Sequence, residues 1–522
     1  WTPYPLSPEE VQNIRQRRYK LLKDYRRQHA YAQTLKGQPG DTADVARKYE
    51  AAAMNCYIAS HIMFWRTFPI YDLPLEILSN IIHYVVWSAP SPRVGIRWRL
   101  QLTWVSRYLR HAAISDPTLW NAIWFQDDPP FERSLAFVER SRTSPLDLRI
   151  NDTPTHKLTD QEIRAVLKVL TPCLHHIRIL VILLENWEPI LSVLKWLSNH
   201  GKESIRPLTM ERFEIHRTGN PYQWPGVVLQ GTRFDPVNHS VFLYSLFGGR
   251  DVPELKSFTM NGINIDWANS PSLNNLTTLD LRRIPLILCP PLSRFRQILA
   301  SSPMLAKLSL DGAGPASNPI TINNHSTIDL PHLHTLVLAN FAAAFPKYIV
   351  SHFTAPNVKD LTIMNFNGFD YGPFFEFMIG RFPKITLLTL TSTSCPTNVL
   401  PMMIKWLDSM PLLAYARLDD LEQDILQAFL FDPDTMEVHP DLPPALRSAP
   451  CLNILKVQAI RPDVFVNFIL ARKACGVPVK KTYMAQSMAN KFSDGVFADI
   501  SRDISSLTCM DIDASTPEEK GL

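Results

Sequence analysis

A six-residue window with apolar residues at positions 1, 4 and 6 recurs along the chain: LKSFTM at 255, LTTLDL at 276, LAKLSL at 305, LHTLVL at 333, VKDLTI at 358, ITLLTL at 385, LAYARL at 413 and LNILKV at 452. Its central residues, Phe258, Leu279, Leu308, Leu336, Leu361, Leu388, Ala416 and Leu455, are separated by 21, 29, 28, 25, 27, 28 and 39 residues. Most windows follow a Pro two residues upstream, as in PHLHTLVL. Between them lie segments with helical apolar spacing, such as PLSRFRQILASS and VLPMMIKWLDSM. A short strand with a return helix has apolar faces that it cannot cover alone, so such units must stack on one another. The expected fold class is α/β, a solenoid of parallel strands with outer helices.

The period falls in or near the 20–29 residues of leucine-rich repeats, and the last, longer interval leaves room for an insertion. Weaker copies at 174 (LHHIRI) and 210 (MERFEI) extend the array upstream. No regular Asn follows the strands, so the repeats are irregular. Strand alternation points Thr259, Asp280, Ser309, Val337, Thr362, Thr389, Arg417 and Lys456 away from the core, and these are the candidate target-binding positions. Long segments at 219–239, 312–327 and 431–450 are candidate specificity loops, with Tyr222 and Trp224 as aromatic anchors.

Upstream the pattern is helical. Ser7 reads as an N-cap with Pro8 at N1 and two acids in the first turn. Val45, Tyr49, Ala52, Cys56, Ala59 and Met63 form a heptad-like stripe expected to pack on the neighbouring domain. In DLPLEILSNIIHYVVW (72–87), Asp72 reads as an N-cap and Pro74 as a first-turn residue, and apolar side chains exceed the roughly 100° stripe of a one-sided helix. That helix needs two neighbours. A second helix, WRLQLTWVSRYLRHAAI, places Leu102, Val105, Leu109 and Ala112 on one face, and DPTLW (116–120) closes the unit.

LPLEILSNII followed by WVSRYLRHAAISDPTLW resembles an F-box, in the variant common in large fungal families, over residues 68–125. The resemblance implies a substrate receptor of a Skp–cullin–F-box ubiquitin ligase. Its box would dock the Skp adaptor, and through it a cullin, while the repeats would hold an unknown target protein. Carried over residue by residue, Leu73 and Pro74 match the opening of the box, Ile77, Leu78, Ile81 and Ile82 its first helix, and Val105, Leu109 and Trp120 its later adaptor contacts. Leu78 and Ile82 are expected to face the adaptor, and Leu75 and Val86 the chain itself. Ser106 stands where the family usually has Cys, and Leu109 where it usually has Trp. Those departures keep an alternative open: a leucine-rich-repeat interaction scaffold whose degenerate box no longer binds the adaptor. The expected domains are a charged helical region over 1–67, the F-box-like domain over 68–125, the irregular repeat domain over 141–485, and a partly disordered tail over 486–522.

Composition narrows the partners. With 53 Lys and Arg against 49 Asp and Glu in 522 residues, the net charge of +4 does not call for nucleic acid. The longest apolar run, ILVILL, is bounded by Arg178 and Glu185, too short for a membrane span. No stretch reads as a secretory signal, and the start at Trp1 rather than Met leaves the true N-terminus open. Seven cysteines without a C-x-x-C pair read as reduced thiols of a cytoplasmic or nuclear protein. Forty-three prolines against eighteen glycines disfavour a Gly-rich phosphate-binding enzyme, and no phosphate loop, nucleophile elbow or zinc-protease motif occurs. Cys173, His175 and His176 lack a second ligand pair. No catalytic residue, metal or cofactor is expected.

Overall fold

The computed structural model divides into two units, Trp1–Trp120 and Asn121–Leu522. It describes residues 7–36, 42–67, 73–219, 244–271, 273–316, 326–366, 368–394, 398–421, 425–426, 428–430, 449–492, 494–511, 514–516 and 519. Asp72, Tyr222, Trp224 and most of the three long segments lie outside the described residues.

In the first unit, Ser7 caps α1 (Pro8–Lys36) reciprocally: the Glu10 amide donates to its hydroxyl at 3.2 Å, and its own amide donates to the Glu10 carboxylate at 2.8 Å. Helix α2 (Ala43–Thr67) runs antiparallel to α1, with Tyr31 against Tyr49 at a ring separation of 4.7 Å and Tyr25 against Tyr57 at 5.3 Å. Among the described side chains of α2 the buried ones are Ala46, Ala53 and Ser60, spaced by sevens, while Val45 and Tyr49 of the expected stripe are exposed. The partner of α2 is therefore α1, and small residues set the seam.

Three helices follow: α3 (Leu75–Trp87), α4 (Pro92–Val105) and α5 (Arg107–Ser115). Pro74 occupies the N-cap of α3 rather than its first turn. Ser91 caps α4, accepting from the Val94 amide at 3.4 Å, with Pro92 at N1. The single helix expected over WRLQLTWVSRYLRHAAI breaks at Ser106, whose extended backbone ends α4 and whose hydroxyl caps α5 by accepting from the Leu109 amide at 3.2 Å. Ser106 thus has a structural task that explains a hydroxyl there. Trp120 is buried and its indole N–H donates to Ala113 O at 2.7 Å, which closes the unit.

Among the described residues the second unit is built on one fourteen-stranded parallel sheet whose strands lie side by side in chain order. It is a leucine-rich-repeat-like α/β solenoid. Phe258, Leu279, Leu308, Leu336, Leu361, Leu388, Ala416 and Leu455 stand opposite one another in a single row, as the repeat spacing requires. Leu148, Leu180 and Phe213 continue the row upstream. The copy at 210 is in register. The copy at 174 is not: an extra residue, Arg178, bulges between the partners of Leu146 and Asp147, so Leu180 rather than Ile177 takes the row position. Ala122–Phe125, grouped with the box in the sequence reading, is the first strand of this sheet, because it pairs with Leu146–Asn151. At the other end, residues expected in a partly disordered tail supply the helix Asp494–Asp503 and the last strand, Ser506–Met510.

The residue after each of the eight strands of the sheet from Ser257–Asn261 to Ile454–Gln458 repeats a left-handed corner: Gly262, Arg283, Gly312, Asn340, Asn365, Ser392, Asp420 and Ala459 all have φ between 45° and 68°. From Gly262 to Asp420 each corner amide donates to the last carbonyl of the next strand, at 2.6–3.2 Å. A regular Asn is absent because the position needs a left-handed backbone and an amide, and several side chains tolerate that. Ala459 has neither the freedom of Gly nor a polar side chain to compensate. Ala459→Gly is expected to stabilise the protein by about 1 kcal/mol, read as a higher urea midpoint; an unchanged or lower midpoint would show the corner to be relaxed.

Among the described residues no helix is long and apolar enough to cross a membrane.

Candidate functional site

The residues aligned with the F-box contacts separate into two groups. Leu78 and Ile82, expected to face an adaptor, are buried, as are Leu109 and Trp120. Val86 is buried as expected, but Leu75 is exposed. The reason is the geometry of α3: Leu78, Ile82 and Val86 recur every four residues and form its inner stripe, whereas Ile77 and Ile81 lie about 100° away. Ile77, Ile81 and Tyr84 are 47%, 42% and 78% exposed. Pro74 and Val105 are exposed and Leu73 is half-buried. A buried side chain cannot contact a partner without opening the core. Of the nine aligned residues, Pro74, Ile77, Ile81 and Val105 therefore form the accessible set, and Trp104 and Tyr84, which the alignment did not single out, are exposed as well.

This helical unit is tied together by one carboxylate. Asp116 accepts from Ser79, from His83 Nε2 at 2.9 Å and from the Thr118 hydroxyl at 2.6 Å, linking α3 to the closing turn. Burial pushes its carboxyl up, but the bonds from Ser79, Thr118 and His83 outweigh burial and hold it at about 2, against an ordinary 3.8. A depressed carboxylate contributes stability that is complete above its unfolded value and is lost as pH falls towards the folded one. The first unit is expected to lose on the order of 1 kcal/mol between pH 4 and pH 2, after solvent screening is allowed for. Acid titration followed by circular dichroism should show this loss in the wild type and a flatter acid limb in Asp116→Asn; superimposable limbs would contradict it.

On the solenoid, the outward residues form a second row, with Thr259, Asp280, Ser309, Val337, Thr362, Thr389, Arg417 and Lys456 in register. Their accessibility differs from the sequence expectation. Thr259, Asp280, Ser309 and Thr389 are buried, whereas Thr362, Arg417 and Lys456 remain half-exposed. Strands about 4.8 Å apart leave short side chains below the level of their longer neighbours. Asp280 is moreover committed to Arg282, which grips it with Nε at 2.7 Å and Nη2 at 2.5 Å.

Arg417 and Lys456 carry the richest polar cluster on this face. After the last strand the chain turns back, and Thr516 and Glu519 come to lie on the strand Tyr415–Asp419. Tyr415 OH donates to Glu519 Oε1 at 2.6 Å, and Arg417 Nε to the same oxygen at 2.8 Å. Lys456 Nζ lies 3.6 Å from that oxygen and donates to Ala514 O at 3.0 Å. The second carboxylate oxygen accepts from the Thr516 amide at 2.9 Å, and the Glu519 amide donates to the Thr516 hydroxyl at 3.3 Å, a complete capping box. The Glu519 side chain is only 6% exposed. Burial pushes its carboxyl up, yet the Tyr415 and Thr516 donors and the two cations hold it below the usual carboxylate range. Asp360 is a like charge near this cluster: burial pushes its carboxyl up, Arg417 and Lys307 oppose that, and Glu519 adds to it. Beside the tail a cavity of about 150 Å³ is lined by Thr389, Arg417, Asp419, Lys456 and Gln458, among others.

Cys173, His175 and His176 do not converge on a ligand position. His176 Nδ1 lies 3.3 Å from His175 Nε2, and Arg206 Nη1 approaches the same His175 nitrogen at 3.0 Å. Among the described residues no group of three His, Cys, Asp or Glu is placed to hold a metal ion.

No protein-family model matches the chain, and no curated protein matches it. Among solved structures, the leucine-rich repeat-containing protein LegL7 from Legionella pneumophila aligns at 13% identity over 49% of this chain and 84% of that one, with a TM-score of 0.29. The repeat assignment rests on the strand register of the chain itself.

Proposed function

We propose that this protein is a non-catalytic target-recognition subunit of a Skp–cullin–F-box ubiquitin ligase, acting in the cytoplasm or nucleus. Its helical unit docks the Skp adaptor, and through it a cullin, and the outward face of its repeats holds a target protein. The observation that carries the reading is the exposed apolar stripe of Ile77, Ile81 and Tyr84 on α3, opposite the buried stripe of Leu78, Ile82 and Val86; Leu75 and Trp87 of the same helix and Trp104 and Val105 of α4 are exposed as well. Contiguous exposed apolar surface on a folded unit marks an interaction site. Ile77 and Ile81 are also positions that the F-box resemblance assigns to the adaptor. The two departures from the family pattern do not touch this stripe, since Ser106 is a helix cap and Leu109 is buried; they give no separate support to a box that has lost its adaptor. The contribution of such a subunit is proximity, raising the effective concentration of a target beside the conjugating machinery. Purified protein mixed with purified Skp adaptor should co-elute as one complex in size-exclusion chromatography. Separate elution would leave a repeat-based interaction scaffold.

A further inference from the structure

We propose that the Tyr415–Arg417–Lys456 cluster is a receptor site for an acidic peptide segment with Thr three residues before Glu, and that Thr516–Glu519 of the chain itself is its resident, displaceable occupant. This rests on the reading of the outward repeat face as the target-binding surface, and it gives that surface a location and a ligand chemistry.

Four observations converge. The occupant is not part of the sheet: from the last strand the chain doubles back across roughly 14 Å of sheet face, three strand spacings, to reach Tyr415. What it presents is a self-contained shape, because the capping box fixes Thr516 and Glu519 through bonds within the segment. A second chain with the same spacing of Thr and Glu forms the same turn. The receptor is complementary in charge and donors, with one hydroxyl, one guanidinium and one ammonium converging on a single carboxylate oxygen. Such charge-assisted bonds select a carboxylate over a neutral side chain. The cavity of about 150 Å³ beside the tail shares Arg417 and Lys456 with the site, so a bound segment has room to extend past the carboxylate. A segment that presents the same carboxylate to these donors and also fills the cavity is the ligand proposed to replace the tail.

A tethered occupant competes at an effective concentration of about 1 mM or more. For a free segment that binds at about 0.1 mM, removing the occupant should therefore tighten binding roughly tenfold. The probe is a fluorescein-labelled synthetic peptide of the chain's own sequence DIDASTPEEKGL, titrated with full-length protein and read by anisotropy. Glu519→Lys, which places a cation against Arg417 and Lys456, should bind the peptide at least tenfold tighter than wild type. Adding Arg417→Ala should abolish that binding, and a peptide with Gln in place of the Glu519 residue should not bind. Circular dichroism and the melting midpoint report folding; should Glu519→Lys fail to fold, Thr516→Ala with Glu519→Gln removes the cap and the charge more gently and carries the same expectation. A folded variant that binds no better than wild type, or that binds equally well without Arg417, makes the tail a structural strap and overturns the proposal. The adaptor is absent from this assay, so failure here leaves adaptor docking untouched. Failure to bind the adaptor likewise leaves this result readable.

Discussion

Leu78→Asp is expected to destabilise the helical unit by about 5 kcal/mol, enough to unfold it at room temperature or bring it close to that. Leu78 is fully buried on the inner stripe of α3 with Ile82 and Val86. Removing a buried leucine costs roughly 2–5 kcal/mol through lost burial and the cavity left behind. A carboxylate in its place adds the cost of desolvating a charge or of protonating it. Domains of this size have stabilities of about 5–15 kcal/mol, so one such loss is decisive. Ile77→Asp, one position away on the exposed side, should change stability by no more than about 0.5 kcal/mol. Urea denaturation of the two variants separates the stripes: a Leu78→Asp protein as stable as wild type would mean that α3 presents its other face.

Arg472→Met should cost about 3 kcal/mol or more. Arg472 lies on the helix Pro462–Ala474 and is 0% exposed, although it carries a full charge. Its guanidinium donates to Phe429 O at 3.2 Å and to Ala449 O and Leu452 O at 3.1 Å each. Those carbonyls flank the segment that stretches one repeat interval to 39 residues. The side chain therefore staples together the two ends of an insertion that the repeat pattern has no means of closing. Methionine fills much of the volume and leaves three carbonyls without that donor, and each buried group left unsatisfied costs about 1–3 kcal/mol. A variant with a wild-type urea midpoint would show that the carbonyls find other donors.

These cases mark where the sequence was informative. The row from Phe258 to Leu455 was legible because the central position of the repeat is nearly always a large apolar residue, and a parallel sheet stacks equal positions on one another. The strands at the ends were harder to see. In LDLRIN only the alternation survives, and in KTYMA Thr482 takes the central position. The two faces of α3 could not be ranked from the sequence, since both are apolar and only packing decides which turns inward. Ser106 looked like a departure from a family pattern, yet it is the residue that lets one predicted helix become two. The outward row was correctly aligned, but its short side chains were credited with an accessibility that strand spacing denies them. Arg472 carried no signal, and for Glu519 only the Thr-x-x-Glu spacing with Thr516 was readable: their other partners lie some twenty to a hundred residues away, and a lone acid or base in a sequence does not reveal whom it meets.

The measurement closest to the central claim is the affinity of the purified Skp adaptor for wild-type protein and for the Ile77→Asp, Ile81→Asp double variant, by calorimetry, with melting curves as the folding control. Each isoleucine buried at an interface contributes roughly 1.5–3 kcal/mol, so losing both should weaken binding by about a hundredfold or more. Wild type should form a complex that the double variant loses while melting at the wild-type temperature. A wild type that does not bind the adaptor, or a folded double variant that binds it equally well, would contradict it.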